Sequence, residues 1–121
     1  MGHVLLIEDE PNIAEAIRFI LSRDGWHVTI YPEGAGALEA VRCVAPDIVI
    51  LDAMLPGQSG FDILTRMRAD PDMADLPVLM LTARGQHRDR EAAEKAGVSR
   101  FMTKPFSNAE ILEQVRLLVP Q

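Results

Sequence analysis

Ile48-Val49-Ile50-Leu51-Asp52 is a run of four apolar residues closed by a carboxylate. Apolar side chains without alternation fit a strand covered on both faces, as in a parallel sheet. A lone carboxylate at the end of such a strand is expensive unless something pairs with it or uses it. Two other segments end in the same manner. Val4-Leu5-Leu6-Ile7 runs into Glu8-Asp9, and Phe101-Met102-Thr103 runs into Lys104-Pro105. Three carboxylates and one ammonium at the ends of three core strands point to one shared site, because sites in open α/β sheets form beyond the carboxyl ends of the strands.

Working outward, strand and helix signals alternate five times. His3 to Ile7 reads as a buried strand. Pro11 stands where a first helical turn tolerates proline, Ile13, Ile17, Ile20 and Leu21 recur at helical spacing, and Gly25 fits just past the helix end. Trp26 to Tyr31 reads as a second strand. Ala35, Leu38 and Val41 mark a short helix stopped before Pro46. The third strand spans Asp47 to Leu51. Residues 56–60 form a turn-rich loop, and Ile63, Leu64 and Met67 carry the next helix until Asp70-Pro71-Asp72 breaks it. Val78 to Leu81 is the fourth strand and ends at Thr82-Ala83. Residues 86–96 have helical spacing with only Ala92, Ala93 and Ala96 as an apolar stripe, and Gly97 is placed to cap them. Ser99 to Thr103 is the fifth strand. Ser107 with Glu110 is a capping-box signature, and Ile111, Val115 and Leu118 give the last helix a buried face. Five β-α units imply a doubly wound parallel α/β sheet in three layers, with helices on both sides and right-handed crossovers. The chain shows no internal repeat or interdomain linker, so residues 1–121 read as a single domain.

The 121 residues carry a formal charge of −6. That balance argues against nucleic-acid binding by this chain alone, since phosphate contacts need a basic face. Trp26 and Tyr31 are the sole residues of their kind, and Cys43 is the one cysteine. A single cysteine makes no internal disulfide or multi-cysteine metal site, and Cys43 reads as a buried residue on a helix. No apolar stretch approaches the ~18 residues needed to span a bilayer, and the start lacks the pattern of a secretory signal. A cytoplasmic location without membrane association is the expectation.

Coulomb arithmetic constrains the acid pocket. Two like charges about 4 Å apart repel by roughly 4 kcal/mol at an effective dielectric near 20. Glu8, Asp9 and Asp52 therefore either take up a proton or share a divalent cation. Hard oxygen ligands suit Mg2+. An ionised carboxylate beside such a metal is a nucleophile for phosphorus, Lys104 could meet an incoming dianion, and the Thr82 hydroxyl could donate to a phosphoryl oxygen. Taken singly, each of these residues has an ordinary reading as a cap, a turn former or a surface lysine. Their coincidence at the ends of strands one, three, four and five singles them out.

The motifs Ile7-Glu8-Asp9-Glu10-Pro11, Leu51-Asp52-Ala53-Met54-Leu55-Pro56-Gly57, Leu81-Thr82-Ala83 and Thr103-Lys104-Pro105-Phe106, in that order, closely resemble the receiver domain of bacterial two-component response regulators. The resemblance covers essentially the whole chain. It implies the flavodoxin-like (βα)5 fold with strand order 2-1-3-4-5. It further implies that Asp52 is the phosphoacceptor, Asp9 a direct metal ligand, Glu8 a ligand through water, and Met54 a ligand through its backbone carbonyl. Thr82 takes the part of the switch hydroxyl, Lys104 that of the phosphoryl-binding lysine, Phe101 that of the switch aromatic, and the Lys104–Pro105 bond is cis. The cofactor implied is Mg2+, with Mn2+ or Ca2+ as substitutes. The partners implied are a histidine kinase or histidine phosphotransfer protein, and a second copy through helix 4, strand 5 and helix 5. The domain is then a signalling phosphoacceptor, not an enzyme, though it assists its own phosphorylation and slow dephosphorylation.

Two features depart from the receivers of winged-helix regulators, which the Leu81–Gly85 and Lys104–Ser107 segments resemble. Arg100 stands where that group commonly has a negative charge used in dimer salt bridges, and Phe101 lacks the hydroxyl of the commoner Tyr. Met54 and Arg84, each two residues past a site residue, flank the approach of water and are expected to slow loss of the phosphoryl group. The competing function is an Mg-dependent phosphatase of the haloacid-dehalogenase type with an Asp nucleophile. Those enzymes place a general acid two residues after the nucleophile, where Met54 can transfer no proton. A flavodoxin-like cofactor carrier would need a phosphate loop after strand one, where Glu8-Asp9-Glu10 would repel a phosphate.

Overall fold

The structure, a computed structural model, describes residues 2–83 and 87–119. Within them strands and helices alternate as β1 (His3–Ile7), α1 (Pro11–Arg23), β2 (His27–Tyr31), α2 (Ala37–Val44), β3 (Ile48–Asp52), α3 (Gly60–Ala69), β4 (Val78–Thr82), α4 (His87–Ala96), β5 (Arg100–Thr103) and α5 (Asn108–Leu118). The strands form one sheet in the order β2-β1-β3-β4-β5, and every pairing is parallel. The fold class and strand order expected from the motifs are thus the ones observed.

Strand alternation builds two cores. Leu5 and Ile7, Val49 and Leu51, and Val78 and Met80 face one side, where Val41 of α2, Ile63, Leu64 and Met67 of α3 and Ala93 of α4 cover them. Val4 and Leu6, Ile48 and Ile50, and Leu79 and Leu81 face the other, against Ile17 and Leu21 of α1 and Ile111 and Val115 of α5. β3 and β4 are buried at every residue, which is why their sequences are apolar without alternation. The helix starts are set locally. Pro11 opens α1, the Ser59 hydroxyl accepts from the Asp62 N–H at 3.2 Å, and Ser107 and Glu110 complete a capping box with bonds of 3.1 and 3.0 Å.

Several expectations need correction. Cys43 lies on α2 but is exposed; the buried stripe of that short helix is Ala37 and Val41. Its start is Ala37 and not Ala35, because Gly36 holds a left-handed conformation (φ +79°) that ends the preceding loop. Trp26 is buried, yet it precedes β2 rather than opening it. β3 is shifted one residue, from Asp47–Leu51 to Ile48–Asp52; Asp47, just before it, meets His3 through its N–H, which donates to the His3 carbonyl at 2.8 Å, and through its carboxylate, which accepts the His3 N–H at 2.7 Å. β4 extends one residue further, to Thr82, and β5 begins one later, at Arg100. In α4 Ala93 is buried and Ala96 partly so, whereas Ala92 is exposed.

Arg68 had no signal in the sequence, yet it joins three segments at the end of the sheet away from the acid pocket. Its guanidinium donates to the carbonyls of Gly97 (2.7 Å), Met73 (3.2 Å), Ala74 (3.2 Å) and Leu76 (2.7 Å), and to the Ser99 hydroxyl (3.3 Å). Arg68→Ala removes all of these bonds at once and is expected to cost about 2–4 kcal/mol. Urea unfolding reads this as a lowered midpoint at unchanged slope; a loss below about 0.5 kcal/mol would show that the carbonyls find water instead.

Candidate phosphoryl-transfer site

Parallel strands end together, so the residues at or just past the ends of β1, β3, β4 and β5 meet at the carboxyl end of the sheet. Continued alternation puts Glu8 and Asp52 on the α1/α5 side with Lys104, while Thr82 falls on the α2–α4 side. Glu8 is fixed by its N–H, which donates to the Tyr31 carbonyl at 3.1 Å. Lys104 is fixed by its own N–H, which donates to the Thr82 carbonyl at 2.7 Å, and the Lys104–Pro105 bond is cis as expected.

The structure brings the sequence candidates into contact. Lys104 Nζ lies 2.9 Å from Glu8 Oε1 and 3.2 Å from Asp52 Oδ2. Glu8, Asp52 and Thr82 are buried, at 1%, 4% and 3% exposure, and Asp9 is exposed. Glu8, Asp9 and Asp52 each offer a carboxylate oxygen, and these oxygens lie within 4.8 Å of one another. Phe101 is half-buried, with the Arg90 guanidinium carbon 5.6 Å from its ring centre. Met54, expected to flank the approach of water, is 71% exposed. Arg84, expected to flank it with Met54, lies outside the described residues.

One contact escaped the sequence reading. The Met54 N–H donates to Asp52 Oδ1 at 3.1 Å, so Asp52 is oriented from both sides, by Lys104 at one oxygen and by the backbone at the other. The signal was available, because an Asp followed by a turn commonly takes the N–H two residues on. No signal announced the stacking of Arg90 on Phe101.

Burial, and then the neighbouring Asp52 carboxylate, raise Glu8 to about 7 against the pull of Lys104. For Lys104 burial works against the ammonium, but the Glu8 and Asp52 carboxylates outweigh it and hold the pKa above its ordinary value. A raised acid pKa means the folded state binds the proton more readily than the unfolded one. Without metal, ionised Glu8 therefore destabilises the fold above pH 7, and that penalty disappears as pH falls through 7 toward 4.5. His3 opposes this: burial and His27 lower its pKa, so its contribution to stability is lost as pH falls below 6.5. Glu8→Gln isolates the first effect. The variant should be more stable than wild type by roughly 1–3 kcal/mol at pH 8 and about equal at pH 5. A constant difference across that range, read from denaturant midpoints, would contradict the assignment.

The donor set fits a hard divalent cation. If all are ionised, three carboxylates face one ammonium, leaving an excess of negative charge beside open carboxylate oxygens. Oxygen-only ligands of this kind select Mg2+ or Ca2+ over softer metals.

Comparison with known proteins agrees with this geometry. A family model described as the response regulator receiver domain matches residues 4–116. The chain is 41% identical over 116 residues to a protein named "Probable transcriptional regulatory protein TcrX" of Mycobacterium tuberculosis, covering 96% of this chain and 49% of that protein. It is 40% identical over 117 residues to the transcriptional regulatory protein CseB of Streptomyces coelicolor, covering 97% and 49%. The chain thus spans about half the length of the curated relatives it matches. Among solved structures it superposes on the receiver domain of sensor histidine kinase PA1611 from Pseudomonas aeruginosa with a TM-score of 0.90 and 28% identity, covering 99% of this chain and 98% of the other. That structure holds a magnesium ion in its active-site cleft. These matches do not support the phosphatase alternative. The chain belongs to the response regulator receiver domain family of two-component signalling proteins.

Proposed function

We propose that residues 1–121 form one receiver domain in which Asp52 is the phosphoacceptor. The observation that carries this is the double hold on the Asp52 carboxylate, by Lys104 Nζ at 3.2 Å and by the Met54 N–H at 3.1 Å. A nucleophile presented in one orientation avoids much of the entropic cost of a bimolecular attack. The donor is the phosphohistidine of a histidine kinase or histidine phosphotransfer protein. A carboxylate oxygen of Asp52 forms a bond to phosphorus as the bond from phosphorus to the imidazole nitrogen breaks, and the departing electron pair stays on the imidazole. Lys104 shifts its hydrogen bonds from the carboxylates to the phosphoryl oxygens, and the Thr82 hydroxyl donates to another of them.

Asp9 would hold Mg2+ directly, Asp52 through its carboxylate, Met54 through its carbonyl and Glu8 through water, with Mn2+ or Ca2+ as substitutes. When bound, the cation supplies positive charge against the equatorial oxygens of the transferring group. Thr82 and Phe101 form the switch: as the hydroxyl moves to the phosphoryl group, Phe101 turns into the space it leaves. The face of α4, β5 and α5 then changes its affinity for partners, a second copy of the chain among them. The thin packing of α4, with Ala93 buried and Ala92 exposed, supports this reading, because weakly packed elements move most cheaply. The domain acts in the cytoplasm as a signalling component and not as an enzyme; no helix among the described residues is long and apolar enough to cross a membrane.

The test is direct. Incubated with a radiolabelled acyl phosphate and Mg2+, the protein should take up about one equivalent of label, stable to cold neutral buffer and released by hydroxylamine. The label should map to the peptide containing Asp52. Label on a hydroxyl residue, or none at all, would overturn the proposal.

A further inference from the structure

We infer that Gly34 is a positioning residue for Asp52: the loop between β2 and α2 (residues 32–36) braces the loop between β3 and α3 (residues 53–59), and the brace requires that position 34 carry no side chain. The inference rests on the reading of Asp52 as the phosphoacceptor. Gly34 is buried, and its N–H donates to the Pro56 carbonyl at 3.0 Å. A Cβ built there would lie 2.3 Å from the Gln58 carbonyl oxygen and 2.9 Å from the Gln58 nitrogen. Both are backbone atoms, so no side chain can swing aside to make room. The two loops meet main chain to main chain.

Both loops are anchored elsewhere. On the bracing side, the Tyr31 hydroxyl donates to the Ala35 carbonyl at 2.6 Å, and the Tyr31 carbonyl accepts from the Glu8 N–H at 3.1 Å. On the braced side, the Ala53 N–H donates to Leu81 at 2.8 Å and the Gly60 N–H to Ala53 at 2.9 Å. Between those ends the Met54 N–H orients Asp52, and residues 56–58 rest on Gly34. To reach the ordinary contact distance, a side chain at 34 would push the Gln58 carbonyl back by about 1 Å, from 2.3 Å to beyond 3.4 Å. In a loop this short the displacement reaches Met54 and turns its N–H off Asp52 Oδ1. The nucleophile then keeps Lys104 as an orienting partner and loses the backbone. Misplacing a reacting group by about 1 Å costs on the order of a hundredfold in rate.

The experiment follows phosphoryl incorporation from an acyl phosphate at saturating Mg2+ in three proteins: wild type, Gly34→Ala and Gly97→Ala. Gly97 is the matched control. It lies at the opposite end of the sheet with φ +94°, and a Cβ there would meet Arg68 Cγ at 2.8 Å, so its replacement destabilises the fold without approaching Asp52. Gly34→Ala should lower the maximal rate by roughly 10–100-fold, while the half-saturating donor concentration and the final stoichiometry stay within about twofold of wild type. Unfolding of part of the sample would instead lower the stoichiometry. Gly97→Ala should keep the wild-type rate within about twofold. If Gly34→Ala fails to fold, Tyr31→Phe keeps the ring and removes the bond to Ala35, and should slow incorporation by roughly two- to fivefold, the worth of one neutral hydrogen bond. The inference is overturned if Gly34→Ala reacts at the wild-type rate, if Gly97→Ala is slowed as much, or, with Gly34→Ala unfolded, if Tyr31→Phe is unaffected. A wild-type protein that takes up no label would sink the phosphoacceptor reading instead.

Discussion

Asp52→Asn is expected to take up no phosphoryl group from an acyl phosphate, a loss of at least about a thousandfold in rate, while folding at least as stably as wild type. The amide matches the carboxylate in size, so the buried position at the end of β3 is filled without a cavity. Its oxygen can still accept from the Met54 N–H, and Lys104 retains Glu8. The missing element is the negative charge that makes the oxygen nucleophilic. Stability should rise, because one of three clustered carboxylates is gone and each like-charged pair near 4 Å costs roughly 4 kcal/mol at an effective dielectric near 20. The gain should be largest without divalent cation and shrink as Mg2+ is added. Label incorporation and thermal unfolding, each with and without Mg2+, test both halves. Residual labelling at the wild-type rate would move the acceptor to another residue; a collapse in stability would make Asp52 a structural carboxylate.

Lys104→Ala should act in the opposite sense on the fold and in the same sense on the chemistry. Lys104 is the one cation bonded to Glu8 and Asp52 among the described residues. Removing it leaves buried carboxylates unpaired, which typically costs about 3–5 kcal/mol at a pH where they are ionised. Glu8, already raised to about 7, should move higher still, because the group that pulls it down is lost. Proton uptake on folding should follow, and the stability deficit should narrow toward pH 5. Phosphorylation at saturating Mg2+ should fall by roughly 10²–10³, the worth of one preorganised donor to developing charge. Lys104→Arg keeps the charge but spreads it over a fork of different reach, so it should restore much of the stability and little of the rate. Equal rescue of both by Arg would show that charge alone matters at this position.

Much of the site was legible because each of its residues follows an apolar run. The four runs identify strands by composition, and a polar residue that ends a buried strand must be caught by something. Glu8, Asp52, Thr82 and Lys104 were found on that ground, and the structure brings the Lys104 ammonium to both Glu8 and Asp52. Boundaries were less legible. Asp47 abuts Ile48 and its N–H donates to the His3 carbonyl of β1, yet the strand itself begins only at Ile48. Cys43 read as buried because cysteines usually are, but the short α2 buries only Ala37 and Val41 as its stripe and leaves Cys43 on the outer side. Arg68 looked like an ordinary basic residue in the last turn of α3. Only folding gathers around it the carbonyls of residues 73, 74, 76 and 97.

The sequence by itself determined the class of fold, the order of elements along the chain and which polar residues close the buried strands, because periodicity and burial cost are properties of single segments. Tertiary structure alone decided how those groups are held: Lys104 shared between two carboxylates, and one loop resting on another at Gly34. Those contacts join residues far apart in the chain or depend on backbone geometry. Their energies reside in distances of a few ångströms that no local pattern of side chains encodes.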